Sequence, residues 1–148
     1  MTVLEEEVLV SAPPGRVWEV VSDPRNLPQW DRRIAGVTGV PDGGLTNGST
    51  YTTEMRFLGA RATVHARVLE IEPPRYSKVR LTGLVDAVIE TWVEPDGDSR
   101  SRLRHRIEYR FRGGPLGDLA ARAVRMFGAR SLLRRGEQAQ KRQAESSG

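Results

Sequence analysis

The sequence predicts an α+β domain in which a curved antiparallel sheet of seven strands wraps around a long C-terminal helix, with two short helices after the first strand. Three observations predict it. Strand-sized segments between residues 51 and 111 alternate apolar and polar side chains, as in a sheet with one covered and one wet face. Frequent turn signals separate these segments, as between adjacent antiparallel strands. After Pro115 the apolar period becomes helical.

The length of 148 residues fits a single domain, which we assign to residues 1–143, with residues 144–148 as a polar tail expected to be disordered. The chain has no cysteine, which excludes disulfides, thiolate metal sites and cysteine nucleophiles. The N-terminus is acidic where a signal peptide would be basic, and no apolar run reaches the ~18 residues of a membrane span. We therefore expect a cytoplasmic protein without stable membrane insertion.

Proline marks the start of both short helices. Pro13-Pro14 suits the first turn of one, and the apolar residues that follow, Trp18 among them, anchor it. Asp23-Pro24 pairs an N-cap acceptor with proline at the first helical position, and this second helix is expected to end near Trp30.

The last predicted strand, Ser101–Phe111, has the clearest alternation. Its inner face carries Leu103, His105, Ile107, Tyr109 and Phe111. Arginines and one glutamate take the outer face. For Val85–Val93 two phases are possible; we place Ala87, Ile89 and Thr91 inward because the other phase would bury two carboxylates. That choice leaves Trp92 on the outer face.

The C-terminal segment carries an apolar stripe at helical spacing, formed by Leu116, Leu119, Ala120, Ala123 and Phe127. We predict a helix from Pro115 to about Gln143. Arg130 and Arg134 continue the stripe beyond Phe127 and would meet an acidic ligand or partner there; the alternative is a solvated face.

Several segments resemble a known superfamily. These are VLVSAPPGRVWEVVSDP at residues 8–24, LPQWD at 27–31, VEPDGD at 93–98 and GGPLG at 113–117. They are similar to the SRPBCC superfamily, and within it to the polyketide cyclase/dehydrase and lipid-transport branch, which has the START-like, helix-grip fold. Family members commonly have Gly-Thr-Arg after the turn that here reads Asp98-Ser99-Arg100. The resemblance implies a small hydrophobic ligand, such as a lipid, quinone or polyketide, held between sheet and helix.

The inner faces of the sheet and the helix would line such a cavity. The predicted ligand-binding residues are Trp30, Tyr51, Met55, Phe57, Val64, Val79, Leu81, Ile89, His105, Ile107, Tyr109, Leu119, Ala123 and Phe127. Core packing is an alternative role for each of them. Small inner residues such as Ala62, Ala66 and Ala120 favour an open pocket. Trp30 would close its mouth.

His105 is the main candidate for chemistry. An imidazole on an apolar face can hydrogen-bond a ligand carbonyl or transfer a proton, as in a cyclase/dehydrase (aromatase)-like enzyme. The alternative is a core histidine bonded to a backbone group or water. Tyr51 and Tyr109 likewise either contact a ligand or find structural partners. No convincing catalytic set accompanies His105, so we favour a binding protein over an enzyme and expect no cofactor.

The outer face of the last strand carries a ladder of four arginines, Arg102, Arg104, Arg106 and Arg110, and Trp92 lies on the same face of the sheet. This face could serve a protein-interaction module or a homodimer contact; the alternative is that Trp92 packs against arginine stems. A nucleic-acid partner is not expected, because the ladder lacks interleaved aromatic residues. His65 falls on this outer face, away from His105, so the two histidines do not form a metal site.

Overall fold

One strand, two short helices, six further strands and a helical C-terminal segment follow one another along the chain, in the predicted order. The computed structural model describes residues 2–57, 59–111 and 113–146, without the side chains of Phe57, Leu116, Met126 and Phe127. Within these ranges the strands β1–β7 span Thr2–Val10, Ile34–Thr38, Thr50–Phe57, Ala60–Glu72, Tyr76–Gly83, Val85–Pro95 and Ser101–Phe111. The helices α1–α4 span Pro14–Val21, Leu27–Trp30, Pro115–Phe127 and Ala129–Ser146.

All seven strands form one antiparallel sheet in the order β1-β7-β6-β5-β4-β3-β2. From β2 to β7 each strand pairs with the next, and β1 closes the order beside β7. The chain therefore crosses from one edge of the sheet to the other between β1 and β2, and α1 and α2 lie on that crossing. The predicted meander with two short helices after the first strand is confirmed.

The pleat of the long strands separates a covered face from an exposed one. In β4, Ala62, Val64, Ala66 and Val68 are buried, and the residues between them are exposed. In β6, Ala87, Thr91 and Val93 are buried. The inward phase predicted for β6 is thus confirmed.

Irregular pairing bends the sheet. The register shifts in β2 between Ile34 and Gly36, and in β4 between Val68 and Glu70. Such bulges increase the local twist and curve a sheet around what it covers. At the end of β5, Gly83 has a φ of +116°, and a Cβ there would lie 2.6 Å from the carbonyl oxygen of Thr63, so only glycine fits this approach.

A hydrophobic cluster fixes α1 at one end of the sheet. Val17, Trp18 and Val20 of α1 pack with Leu103 of β7 and with Ala144 of α4, which is fully buried. The prediction that Trp18 anchors the first helix is therefore confirmed. A 3-10 turn that begins at Pro24 then leads into α2, which ends at Trp30 as expected.

The C-terminal helix differs from its prediction in two respects. Gly128 has a φ of +79°, which divides the predicted continuous helix into α3 and α4. In addition, α4 continues to Ser146, and its Glu145 side chain accepts a hydrogen bond from the Ser11 N–H at 2.8 Å. The predicted polar tail is thus wrong for residues 144–146, which are helical, and residues 147–148 lie outside the described part of the chain.

Candidate functional site

A cavity of about 400 Å³ lies between the sheet and the helices α3 and α4, and it is partly open to solvent. Most of its lining side chains are aliphatic or aromatic, and strands β3–β7 contribute the largest share, with the rest from the helices, from β1 and β2 and from connecting segments. Ala87, Ala120 and Ala123 are on its walls, where a larger side chain would fill the space. The inner face of this sheet therefore surrounds a void rather than a filled core.

Most of the predicted site residues line this cavity. They are Trp30, Tyr51, Met55, Val64, Val79, Leu81, Ile89, His105, Ile107, Tyr109 and Ala123. Leu119 packs against a cluster that contains Ala62 and Leu84 and is not among the residues that line the cavity. The side chains of Phe57 and Phe127 lie outside the described part of the structure. That any of these residues binds a ligand stays a prediction.

His105 is held by hydrogen bonds at both ring nitrogens. Its Nε2 lies 2.7 Å from Oε1 of Gln140 on α4, and its Nδ1 lies 3.0 Å from Oγ1 of Thr91 on β6. Because an amide oxygen only accepts, Nε2 carries the proton, and Nδ1 accepts from the Thr91 hydroxyl. Burial lowers the pKa of His105, although the bond to Gln140 works in the opposite direction. The imidazole is therefore neutral at pH 7.

A row of polar side chains crosses the inner face at this level. Glu6 of β1 lies opposite His105 of β7, which lies opposite Thr91 of β6. The Glu6 carboxylate pairs with Arg130 at 3.1 Å and with Arg134 at 3.4 Å. These two arginines are thus paired with the protein's own carboxylate, and both side chains stay more than half exposed, as on the solvated face given as the alternative.

Glu137 of α4 is 2% exposed and lines the same cavity. Among the described residues its Oε2 has no hydrogen-bond partner. Burial raises the pKa of Glu137 to about 8, and the charges of Glu6 and Glu7 add to the effect while Arg134 opposes it. At neutral pH this carboxyl group is mainly protonated and uncharged.

Two tyrosine hydroxyl groups also border the cavity. Burial raises the pKa of Tyr51 to about 12. Tyr109 packs edge-on against Phe111, with ring centroids 5.6 Å apart. Within the described residues neither phenol oxygen has a hydrogen-bond partner, so both can donate to a bound molecule.

Polar contacts fix the part of the cavity wall at the end of α2. The Trp30 indole N–H donates to Oε1 of Gln143 at 2.9 Å, which joins α2 to α4. Beside it, Arg33 forms a two-pronged pair with Asp31, with N–O distances of 2.6 and 3.0 Å. Burial raises the pKa of Asp31, but the bonds from Arg33 outweigh burial and the pKa lies below its usual value.

Comparison with known proteins identifies the family. Residues 1–143 match the family described as polyketide cyclase / dehydrase and lipid transport. The chain belongs to this family. Among curated proteins, none matches the sequence significantly.

Solved structures show the same fold. The chain is similar to the Zhui aromatase/cyclase from Streptomyces sp. R1128, with 17% identity, a TM-score of 0.71 and coverage of 99% of this chain and 98% of that one. It is similar to a conserved protein from Geobacillus kaustophilus at 15% identity and a TM-score of 0.78, with 99% and 97% covered. The di-domain ARO/CYC BexL matches at 24% identity and a TM-score of 0.64, with 94% and 46% covered. The predicted START-like, helix-grip class is confirmed.

The outer face of this polyketide cyclase/dehydrase family member is covered by its own ion pairs. The Arg104 guanidinium lies over the Trp92 ring, with Cζ 4.1 Å from the ring centroid, so Trp92 packs against an arginine of the neighbouring strand through its charged head and not its stem. The other arginines of the ladder pair with neighbouring carboxylates: Arg102 with Glu7, Arg106 with Glu5 and Glu90, and Arg110 with Asp86. His65 is exposed there, apart from His105.

In the part of the chain that the structure describes, no helix has the length and apolar character of a membrane span. No group of three or more metal-ligating side chains comes together in the same residues.

Sequence reasoning missed three polar residues of the site, Glu6, Glu137 and Gln140. On α4, Leu133, Glu137, Gln140 and Ala144 share one face at helical spacing, and this stripe faces inward. Glu137 lies seven residues after Arg130 and three after Arg134, so it continues the stripe predicted for the C-terminal segment, but the prediction ended at Arg134. Glu6 was missed because the alternation of β1 is hidden in a run of three glutamates.

Proposed function

We propose that this domain binds, and by extension transports, a small hydrophobic molecule such as a lipid, quinone or polyketide in the cavity between the sheet and α3–α4. The observation that carries the proposal is the 400 Å³ space itself. Ligand sites are typically about 300–1,000 Å³, mostly apolar, with a few placed polar groups. A soluble domain does not keep an apolar void of this size for stability, because empty cavities destabilise a fold.

Native mass spectrometry of the purified protein tests this proposal. We expect a non-covalent adduct in the mass range of a small apolar molecule, released when the protein is unfolded. Preparations that consistently show the bare protein, and that remain bare after incubation with lipid, quinone and polyketide mixtures, would contradict it.

A second candidate function is a cyclase/dehydrase reaction with His105 as the proton-transfer group. The family and the placement of a neutral, buried imidazole on the cavity wall support it. Both nitrogens are engaged, so proton transfer would require the bond to Gln140 or to Thr91 to open first. The test is turnover of a polyketide-like substrate: a His105→Ala variant is expected to lose turnover while it still binds the substrate. Unchanged turnover in that variant would exclude His105 from this role.

A further inference from the structure

The Glu137 carboxyl group stands out among the buried polar groups of the protein. It is 2% exposed, it lines the cavity, and no described residue gives it a hydrogen bond. A buried polar group without a partner destabilises the fold, because it has given up its hydrogen bonds to water. A bound molecule that supplies the missing partner recovers part of that cost, so this group can select between ligands.

The charges around Glu137 determine its protonation state. From β1, Glu6 faces it and Glu7, on the outer side of the strand, also contributes negative charge, and from its own helix Arg134 adds positive charge. Arg134 and Arg130 are themselves paired with Glu6. From β7, His105 contributes no charge at neutral pH because burial lowers its pKa.

The remaining groups of the cavity wall carry no free charge either. Tyr51 stays protonated because burial raises its pKa to about 12. Tyr109 also lines the cavity. After α2, the Asp31 carboxylate and the Arg33 guanidinium form an ion pair, so their opposite charges cancel. Glu137 is therefore held as an uncharged acid whose hydroxyl can donate one hydrogen bond.

We propose that protonated Glu137 donates a hydrogen bond to an uncharged carbonyl oxygen of the ligand, so that the cavity prefers ketones, quinones or amides to plain hydrocarbons and to carboxylates. This inference rests on the proposed binding function and names the chemical class of the ligand. Among the described lining residues Arg33 is the one cation, and its pairing with Asp31 leaves no uncompensated positive charge for a ligand carboxylate.

Two matched probes test this preference. Menadione, a methylated naphthoquinone, and methylnaphthalene share a two-ring skeleton, and only the quinone carries carbonyl groups. The absence of cysteine removes the thiols with which a quinone would otherwise react. Calorimetric titration of the whole chain with each probe gives the ratio of the two affinities, in which effects common to both probes cancel.

The expected result is a ratio that depends on pH through Glu137. For the wild type, the preference for menadione should be roughly two- to tenfold greater at about pH 6.5 than at about pH 9.5, as for the loss of one hydrogen bond. Glu137→Gln keeps a neutral donor that does not titrate, so its ratio should be independent of pH. Glu137→Leu should lose the preference at every pH and still bind methylnaphthalene.

A spectroscopic measurement gives an independent reading. The chemical shift of the Glu137 carboxyl carbon should titrate near the pKa of about 8, and saturation with menadione should move this midpoint upward. A midpoint in the ordinary range for glutamate would overturn the proposal, as would a menadione ratio that neither pH nor Glu137→Leu changes while methylnaphthalene still binds. Failure of the wild type to bind either probe would instead refute the proposed function itself, and this inference with it.

Discussion

At the scale of single residues, the buried groups of the cavity wall link the stability of the protein to pH in opposite directions. Glu137 has its pKa raised in the folded state, so the native protein holds a proton that the unfolded chain has released. His105 has its pKa lowered, so on the acid side the unfolded chain takes up a proton that the native protein refuses. Glu137 therefore lowers the free energy of unfolding as the pH rises, and His105 lowers it as the pH falls.

Removal of the Glu137 charge should stabilise the protein at alkaline pH. Between its usual value of 4.5 and its folded value of about 8, the wild type loses stability as the pH rises, and above that range the loss is complete. Glu137→Gln does not titrate, so its advantage over wild type should grow by about 2–5 kcal/mol across this window. Urea unfolding at several pH values measures it. Parallel profiles for the two proteins would show that Glu137 is not perturbed.

Replacement of His105 should destabilise the protein at neutral pH. His105→Leu leaves the Thr91 hydroxyl and the Gln140 amide without partners, at a cost of about 1–3 kcal/mol. His65→Leu is the matched control on the exposed outer face, and its effect should stay within about 0.5 kcal/mol.

The same two variants also test how the charge state of His105 makes the free energy of unfolding depend on pH. As the pH falls below 6.5, the wild type should lose stability that His105→Leu has already lost, so the two unfolding free energies should converge. Equal costs for the two histidine variants, or no convergence in acid, would show that the network around His105 contributes little.

At the scale of elements, the strand faces and the helical C-terminal segment could be predicted from the sequence, but the break within that segment could not. Alternation in β4 and β7 survives in the structure because a strand keeps its period of two as long as the pairing register holds. A helix keeps its phase only while its dihedral angles are regular. Gly128, at a φ of +79°, interrupts that regularity and divides the segment into α3 and α4.

Two glycines in the C-terminal segment should respond oppositely to alanine. Gly128→Ala forces a side chain into a positive-φ conformation and should cost about 1–3 kcal/mol. Gly136 lies inside α4, and a Cβ there meets no atom within 4 Å, so Gly136→Ala should stabilise by roughly 0.5–1 kcal/mol. Thermal unfolding of both variants measures the difference. A Gly128→Ala variant as stable as the Gly136→Ala variant would argue for a continuous helix.

At the scale of the whole molecule, the architecture followed from the sequence, but the cavity did not. Periodicity assigns each residue to a face, and it could place Val64, Ile89 and His105 on one wall. Whether facing walls meet or leave a space depends on the curvature of the sheet and on the angle between α3 and α4 at Gly128. Neither quantity is a property of a local pattern, so the open space of about 400 Å³ emerges only from the assembled fold.

The central claim, that this space holds a small apolar molecule, is tested most directly by titration of methylnaphthalene into a cavity-filling variant and its control. Ala123 lines the cavity, whereas Arg122 next to it on α3 is exposed. Circular dichroism confirms that each variant is folded before the titration. We expect the wild type and Arg122→Phe to bind methylnaphthalene and Ala123→Phe to bind it at least about tenfold more weakly. Equal binding by all three proteins, or by none, would contradict it.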